Sequence, residues 1–341
     1  MSRLDLNARL EEAGVLLADG GMGTGLFAQG LQTGGSPELW NVEQPERVQR
    51  VIRGFVDAGA DIVLTNSFGA NRYRLVLHEA ADRVGELNAA AVACARAATD
   101  GVGRPVLVAG SMGPTGEIFE PVGALAYDDG VAAFRAQAEA LAEAGADLLW
   151  IETISAAEEL RAAVEGAAST GLPVCATLTF DTNGRTMMGL TPAAAVALRN
   201  QLPVHMAAFG ANCGIGPAQL VDTVLDLAAA AEDGDVLIAK GNCGIPEYKD
   251  GAICYSGTPE IMAAYARLAR DAGARIIGGC CGTTPVHLSA MAETLASTER
   301  GPKPSRADVE AWLGPIAFSG ETPQPSHGTG ERRNRRRRRE D

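Results

Sequence analysis

Glu143-Ala144-Gly145-Ala146-Asp147-Leu148-Leu149-Trp150-Ile151-Glu152 is the stretch on which the fold turns. An alanine-rich helical pattern stops at Gly145, the residue type that most readily takes the left-handed conformation closing a helix. Four apolar residues follow without polar alternation, too few for a helix, and read as a strand buried on both faces. Glu152 ends the run. The unit recurs as Asp57-Ala58-Gly59-Ala60-Asp61 before Ile62-Val63-Leu64, and as Asp271-Ala272-Gly273-Ala274-Arg275 before Ile276-Ile277.

Counting outward, short apolar runs at 15–18, 62–65, 106–109, 148–151, 174–179, 207–211, 236–239 and 275–278 give eight candidate strands. Helical patterns separate them, among them 45–58, 129–144, 156–169, 217–231 and 259–272. Eight alternating units predict a single-domain (β/α)8 barrel over residues 1–300, with an open doubly wound sheet as the alternative. The second arrangement lacks its dinucleotide fingerprint: Gly20-Gly21-Met22-Gly23-Thr24-Gly25 has glycines without the G-x-G-x-x-G spacing. In a barrel, chemistry gathers where strands end. Those positions are Asp19, Asn66, Ser111, Glu152, Asp181, Cys213, Asn242 and the pair Cys280–Cys281.

The pair sits in Gly278-Gly279-Cys280-Cys281-Gly282-Thr283-Thr284-Pro285. Neighbouring side chains on a strand point to opposite faces, so two adjacent thiols share one target only if the backbone leaves strand geometry. Gly279 and Gly282 allow that, and Pro285 reads as the start of a helix. Packing residues or a vicinal disulfide are the alternatives. A third cysteine in Phe209-Gly210-Ala211-Asn212-Cys213-Gly214 ends another apolar run. Three thiolates at strand ends would make an open metal site whose fourth position is left for substrate.

Composition narrows the function classes. The chain has 341 residues, no apolar run of membrane-spanning length and no signal-peptide pattern at Met1-Ser2-Arg3-Leu4-Asp5. Seven irregularly spaced cysteines suit a reducing compartment, so a cytoplasmic protein is expected. Residues 331–341 hold seven arginines against Glu331, Glu340 and Asp341, a net of +4 that leaves −17 for the rest of a chain totalling −13. An acidic body argues against nucleic acid as a partner. Residues 301–341 are expected to be a disordered C-terminal extension with an arginine-rich end.

Taken together, the motifs resemble the homocysteine S-methyltransferase family, which includes the homocysteine-binding module of cobalamin-dependent methionine synthase and betaine–homocysteine methyltransferase. The matching stretches are Asp19-Gly20-Gly21-Met22-Gly23-Thr24, Leu64-Thr65-Asn66-Ser67-Phe68-Gly69, Gly113-Pro114-Thr115-Gly116-Glu117, Ile151-Glu152-Thr153, Gly210-Ala211-Asn212-Cys213 and Gly278 to Pro285. They run from about Gly14 to Leu295.

The resemblance implies that Cys213, Cys280 and Cys281 bind Zn2+. It implies that Asp19 and Glu152 hold the ammonium group of homocysteine, and that backbone amides around Gly20 and Gly21 receive its carboxylate. An Asx-type turn at Asp19 and a buried ion pair at Glu152 are the structural alternatives. Methionine would form by attack of a zinc-bound thiolate on an activated methyl group. Cys243, in Gly241-Asn242-Cys243-Gly244, imitates the Asn212-Cys213-Gly214 motif, but related methionine synthases match Asn242 to Pro246 without needing a cysteine there, so Cys213 is preferred. His78, His205, His287 and His327 have no metal-ligand spacing.

For the methyl donor, Thr153 stands where betaine-using relatives carry a tyrosine, and cobalamin- or folate-binding domains have no room in this length. Methylcobalamin on a separate partner protein is therefore expected, with betaine as the alternative donor. A non-catalytic zinc-binding module is the alternative function. A lyase acting on a phosphorylated substrate would need a phosphate cradle where Gly278 to Gly282 carry cysteines instead.

Overall fold

The computed structural model describes residues 3–249 and 252–317. Among them, eight parallel strands form one sheet: β1 Leu16–Leu17, β2 Ile62–Leu64, β3 Leu107–Met112, β4 Leu148–Ile154, β5 Val174–Leu178, β6 Ala208–Cys213, β7 Leu237–Gly241 and β8 Ala274–Gly279. Each pairs with its neighbour in sequence, and β1 also pairs with β8. Between β1 and β2 the ring closes through a bridge from Ala18 to Ile62, with the Asp61 amide donating to the Leu17 carbonyl and the Asp19 amide to Ile62. This is a single-domain (β/α)8 barrel, as the repeat predicts.

The repeat has a physical reason at every position. Gly59, Gly145 and Gly273 all lie at positive φ, between 101° and 123°, which an alanine would resist. The aspartate two residues on reaches to the preceding neighbour strand: Asp61 accepts from the Leu17 amide, and Asp147 from Val108. In the third copy Arg275 donates instead to the Leu10 and Gly14 carbonyls, fastening the N-terminal helix Leu6–Ala13 under the barrel.

Alternation along the strands sends one set of side chains inward. Leu16, Ile62, Leu107, Leu148, Trp150 and Ile276 fill the interior, and Leu6 and Leu10 of the N-terminal helix close its lower end. The opposite parity, including Leu17, Val63, Val108, Leu149, Phe209 and Ile277, packs against the surrounding helices. Full burial of each large aliphatic or aromatic side chain contributes roughly 1.5–3 kcal/mol. The lower barrel is thus sealed by hydrocarbon, and polar groups gather only at the strand ends.

Three features depart from the sequence reading. β4 and β6 run on to Ile154 and Cys213, so Glu152 and Cys213 belong to strands rather than to the loops after them. An antiparallel hairpin, Pro246–Lys249 with Ala252–Tyr255, follows β7 and was not expected. Residues 301–317, expected as part of a disordered extension, are ordered in the protein. Ser305 and Asp308 form a capping box opening the helix Arg306–Leu313, Val309 is fully buried, and Arg306 bonds Asp222 and Asp226 at 2.5 and 2.8 Å. The arginine-rich stretch lies outside the described residues. No helix among those described is long and apolar enough to cross a membrane.

Candidate metal centre

Three sulfurs meet at the upper rim. Cys213 at the end of β6 lies 3.3 Å from Cys280 and 3.9 Å from Cys281, sulfur to sulfur, and all three lie within 4.8 Å of one another. The vicinal pair is not a disulfide; both are free thiols. Two local distortions aim them. Cys213 has φ 60°, uncommon for a residue with a side chain, and Gly282 takes φ 78° directly after Cys281. A Cβ on Gly282 would fall 2.2 Å from the Tyr255 ring, so only glycine fits there as the loop stands.

Two asparagines stitch the thiol-bearing loops together. Asn242 accepts from the Cys281 amide at 3.0 Å and donates to the Gly214 carbonyl at 2.6 Å, joining the β8 loop to the β6 loop. Asn212, fully buried, accepts from the Thr153 amide, donates to the Thr153 hydroxyl, and lies 3.9 Å from the Cys280 sulfur. That clamp holds Thr153 at φ 64°, a costly conformation for a β-branched residue, and so sets the direction of Glu152 beside it. Cys243 stands apart from the cluster, buried, with its thiol on the Gly257 carbonyl.

The donor set fits a metal. A tetrahedral zinc holds sulfur at about 2.3 Å, which places ligand sulfurs roughly 3.8 Å apart. The spacings of 3.3 and 3.9 Å bracket that value. Hydrogen bonds to the sulfurs of Cys280 and Cys281 push Cys213 well above the thiol range, while the bond from Cys213 holds Cys281 far below it. The Tyr255 phenol and the Cys281 thiol also perturb one another, the phenol raised and the thiol lowered.

Next to the thiols lies a charged interior layer. Glu152 accepts a 2.5 Å hydrogen bond from Ser111, and burial pushes its carboxyl up to about 7 against the pull of Lys240. Asp19 is 1 % exposed, with one oxygen on the Leu64 amide at 2.7 Å and the other on Lys240 Nζ at 2.5 Å. Burial raises the Asp19 carboxyl and Lys240 opposes that rise. Gly20 and Gly21 pack under the β8 loop, where a Cβ would meet Phe55, Thr24 or the Thr283 and Cys280 carbonyls. The Gly21 amide donates to the Thr283 carbonyl at 3.0 Å, so it is engaged within the fold. Of the other strand-end residues, Asn66 donates to Pro37 and Asn41 in the loop framework, and Asp181 takes no part in the cluster.

Lys240 is the charged residue of this layer that the sequence reading missed. Its signal was present: a lysine closing the apolar run of β7, at the inward parity of Ile238. Tyr255 gave no comparable signal, because the hairpin that delivers it is an insertion between β7 and its helix.

With this geometry in hand, comparison with known proteins is decisive at the level of family. The model for "Homocysteine S-methyltransferase" matches residues 16–295, which takes in every strand of the barrel. The chain belongs to the homocysteine S-methyltransferase family. It is 33 % identical over 304 residues to the methionine synthase of Mycobacterium tuberculosis (strain ATCC 25618 / H37Rv), covering 84 % of this chain and 25 % of that one. The methionine synthase of Mycobacterium leprae (strain TN) is 31 % identical over 308 residues, with 85 % and 25 % covered. The chain therefore spans about a quarter of the length of these relatives. Among solved structures, the metallated form of the homocysteine methyltransferase MmuM from Escherichia coli superposes with a TM-score of 0.71 at 27 % identity, covering 84 % of this chain and 98 % of MmuM. Sequence, fold and comparison agree on a member of this family with a three-cysteine cluster at its strand ends.

Proposed function

We propose that the chain is a zinc-dependent homocysteine S-methyltransferase that forms methionine with a methyl group from methylcobalamin carried on a separate protein. The observation that supports it most is the convergence of Cys213, Cys280 and Cys281 at zinc-ligand spacing beside the buried carboxylate of Glu152. That MmuM, of the same fold, has been solved in a metallated form supports a metal in this chain. Zinc bound there would supply a Lewis-acid position that lowers a substrate thiol's pKa from its ordinary ~8.5 and keeps its sulfur nucleophilic at neutral pH.

The chain's own residues supply recognition. Glu152 forms the acidic end of the pocket that receives the ammonium group, with Asp19 behind it on Lys240, and Gly20 offers its amide to the carboxylate. With the amino-acid end held, the sulfur points at the thiols. Its lone pair forms the new S–CH3 bond as the methyl–donor bond breaks toward the donor, which leaves cob(I)alamin when methylcobalamin is used.

The donor assignment is supported by similarity to two methionine synthases and by Thr153, whose amide and hydroxyl are both tied to Asn212 and which offers no aromatic face. Betaine is the second reading, favoured by Tyr255: its ring stands against Gly282, next to Cys281, and an aromatic face suits a methylated ammonium. Zinc-loaded protein supplied with homocysteine and each donor in turn separates them. Methionine formed with methylcobalamin and not with betaine is the expected result; turnover with betaine alone would overturn the donor assignment. Glu152→Gln is expected to weaken homocysteine binding by about 10- to 100-fold, the loss of one charge-assisted hydrogen bond, with unchanged zinc content. Zinc loss at unchanged homocysteine affinity would contradict the recognition role.

A further inference from the structure

Lys240 is a cation built into the barrel interior. It is 1 % exposed, its Nζ lies 2.5 Å from Asp19 Oδ1 and 3.3 Å from the Asp19 carbonyl, and the Trp150 ring lies 5.9 Å away. A buried ammonium persists only beside opposite charge. Burial alone would favour the neutral amine, but Asp19 and Glu152 outweigh it and hold the group above its ordinary value. Trp150 fills the interior below it.

The two acidic residues are therefore unlike. Asp19 has both oxygens engaged, by Lys240 and by the Leu64 amide, and is all but inaccessible. A substrate ammonium approaching it would share a carboxylate with another ammonium. Glu152 is 9 % exposed, its Oε1 accepts from Ser111, and its Oε2 has no hydrogen-bond partner among the described residues. With Asp19 paired to Lys240, Glu152 is the carboxyl left to take one substrate ammonium.

We infer that Lys240 is a positioning residue that satisfies Asp19 from within the fold and leaves Glu152 as the carboxylate that meets the substrate's ammonium group. The arrangement selects an α-amino thiol over the same thiol without its amino group. The inference rests on the amino-acid thiol reading above and assigns its recognition to one residue.

Calorimetry on zinc-loaded protein tests it, using homocysteine and 4-mercaptobutyrate, which is homocysteine without the amino group. Zinc content and thermal midpoint are measured alongside. The wild type is expected to prefer homocysteine by about 30-fold or more, and Glu152→Gln to reduce that ratio to about 3 or less. Lys240→Met strands the Asp19 charge and is expected to lower the thermal midpoint. Asp19→Asn/Lys240→Met removes both charges; it is expected to recover the midpoint and keep the preference within about threefold of wild type. If the double variant does not fold, Lys240→Gln, which keeps a donor for Asp19, is expected to keep the preference and serves in its place. A double variant that loses the preference as fully as Glu152→Gln makes Asp19 a direct receptor and overturns this inference alone, as does a midpoint that fails to recover. A wild type with no preference between the two thiols overturns the amino-acid reading and this inference with it.

Discussion

Cys280→Ala is expected to reduce zinc from one ion per chain to near none and to lower methyl transfer by more than about 100-fold, since loss of a mere supporting hydrogen bond to a ligand costs 10- to 100-fold. The three sulfurs form the whole cysteine donor set of the cluster, and two thiolates do not hold zinc as three do. The variant should fold, because the barrel core is hydrocarbon and lies below the thiols. Cys213→Ala and Cys281→Ala should behave alike. Cys243→Ala should keep zinc and activity, its thiol being spent on the Gly257 carbonyl. Metal analysis and turnover on the four variants decide the matter. Full zinc in Cys213→Ala together with loss in Cys243→Ala would reverse the ligand assignment.

The fold was legible because its determinants are local and repeated. The helix-closing glycine, the aspartate two residues later and the short apolar run each have their own backbone reason, and three copies are nearly identical in sequence. The thiols were legible because cysteine between glycines at a strand end has few structural uses. Lys240 was not, because a lysine closing an apolar run reads as the strand reaching solvent. Only closure of the barrel turns that position inward, toward an aspartate that sits 221 residues away. The helix Arg306–Leu313 was missed for a related reason. A short segment behind Pro302 and Pro304 reads as a linker, and what orders it is tertiary: the burial of Val309, Arg306 on two acidic residues, and Arg267 over the Trp312 ring at 4.8 Å. The engagement of Gly21 with Thr283 is likewise a contact between the first and last barrel loops. No reading of the first loop alone reveals it.

Gly282→Ala is expected to impair metal binding without touching a ligand. At φ 78° an alanine costs about 1–2 kcal/mol in backbone strain alone. Its Cβ would also lie 2.2 Å from the Tyr255 ring, a distance no carbon pair tolerates, so either the ring or the loop must move. Both are tied to the metal site, since Cys281 precedes Gly282 and the Tyr255 ring packs against that loop. A displacement of that sulfur by a fraction of an ångström spoils a three-thiolate site, and zinc affinity should fall by about 10- to 100-fold, the scale of a lost supporting contact. Gly184→Ala supplies the comparison. Gly184 lies at φ 68°, with nothing within 4 Å of its Cβ position, so it carries the backbone cost and no collision. Both variants should lower the thermal midpoint of the metal-free protein by a few degrees, roughly 2–4 °C per kcal/mol. Only Gly282→Ala should weaken zinc binding in a competition titration against a chromogenic chelator. Equal zinc affinity in the two variants would mean that the Tyr255–Gly282 contact does not set the positions of the thiols.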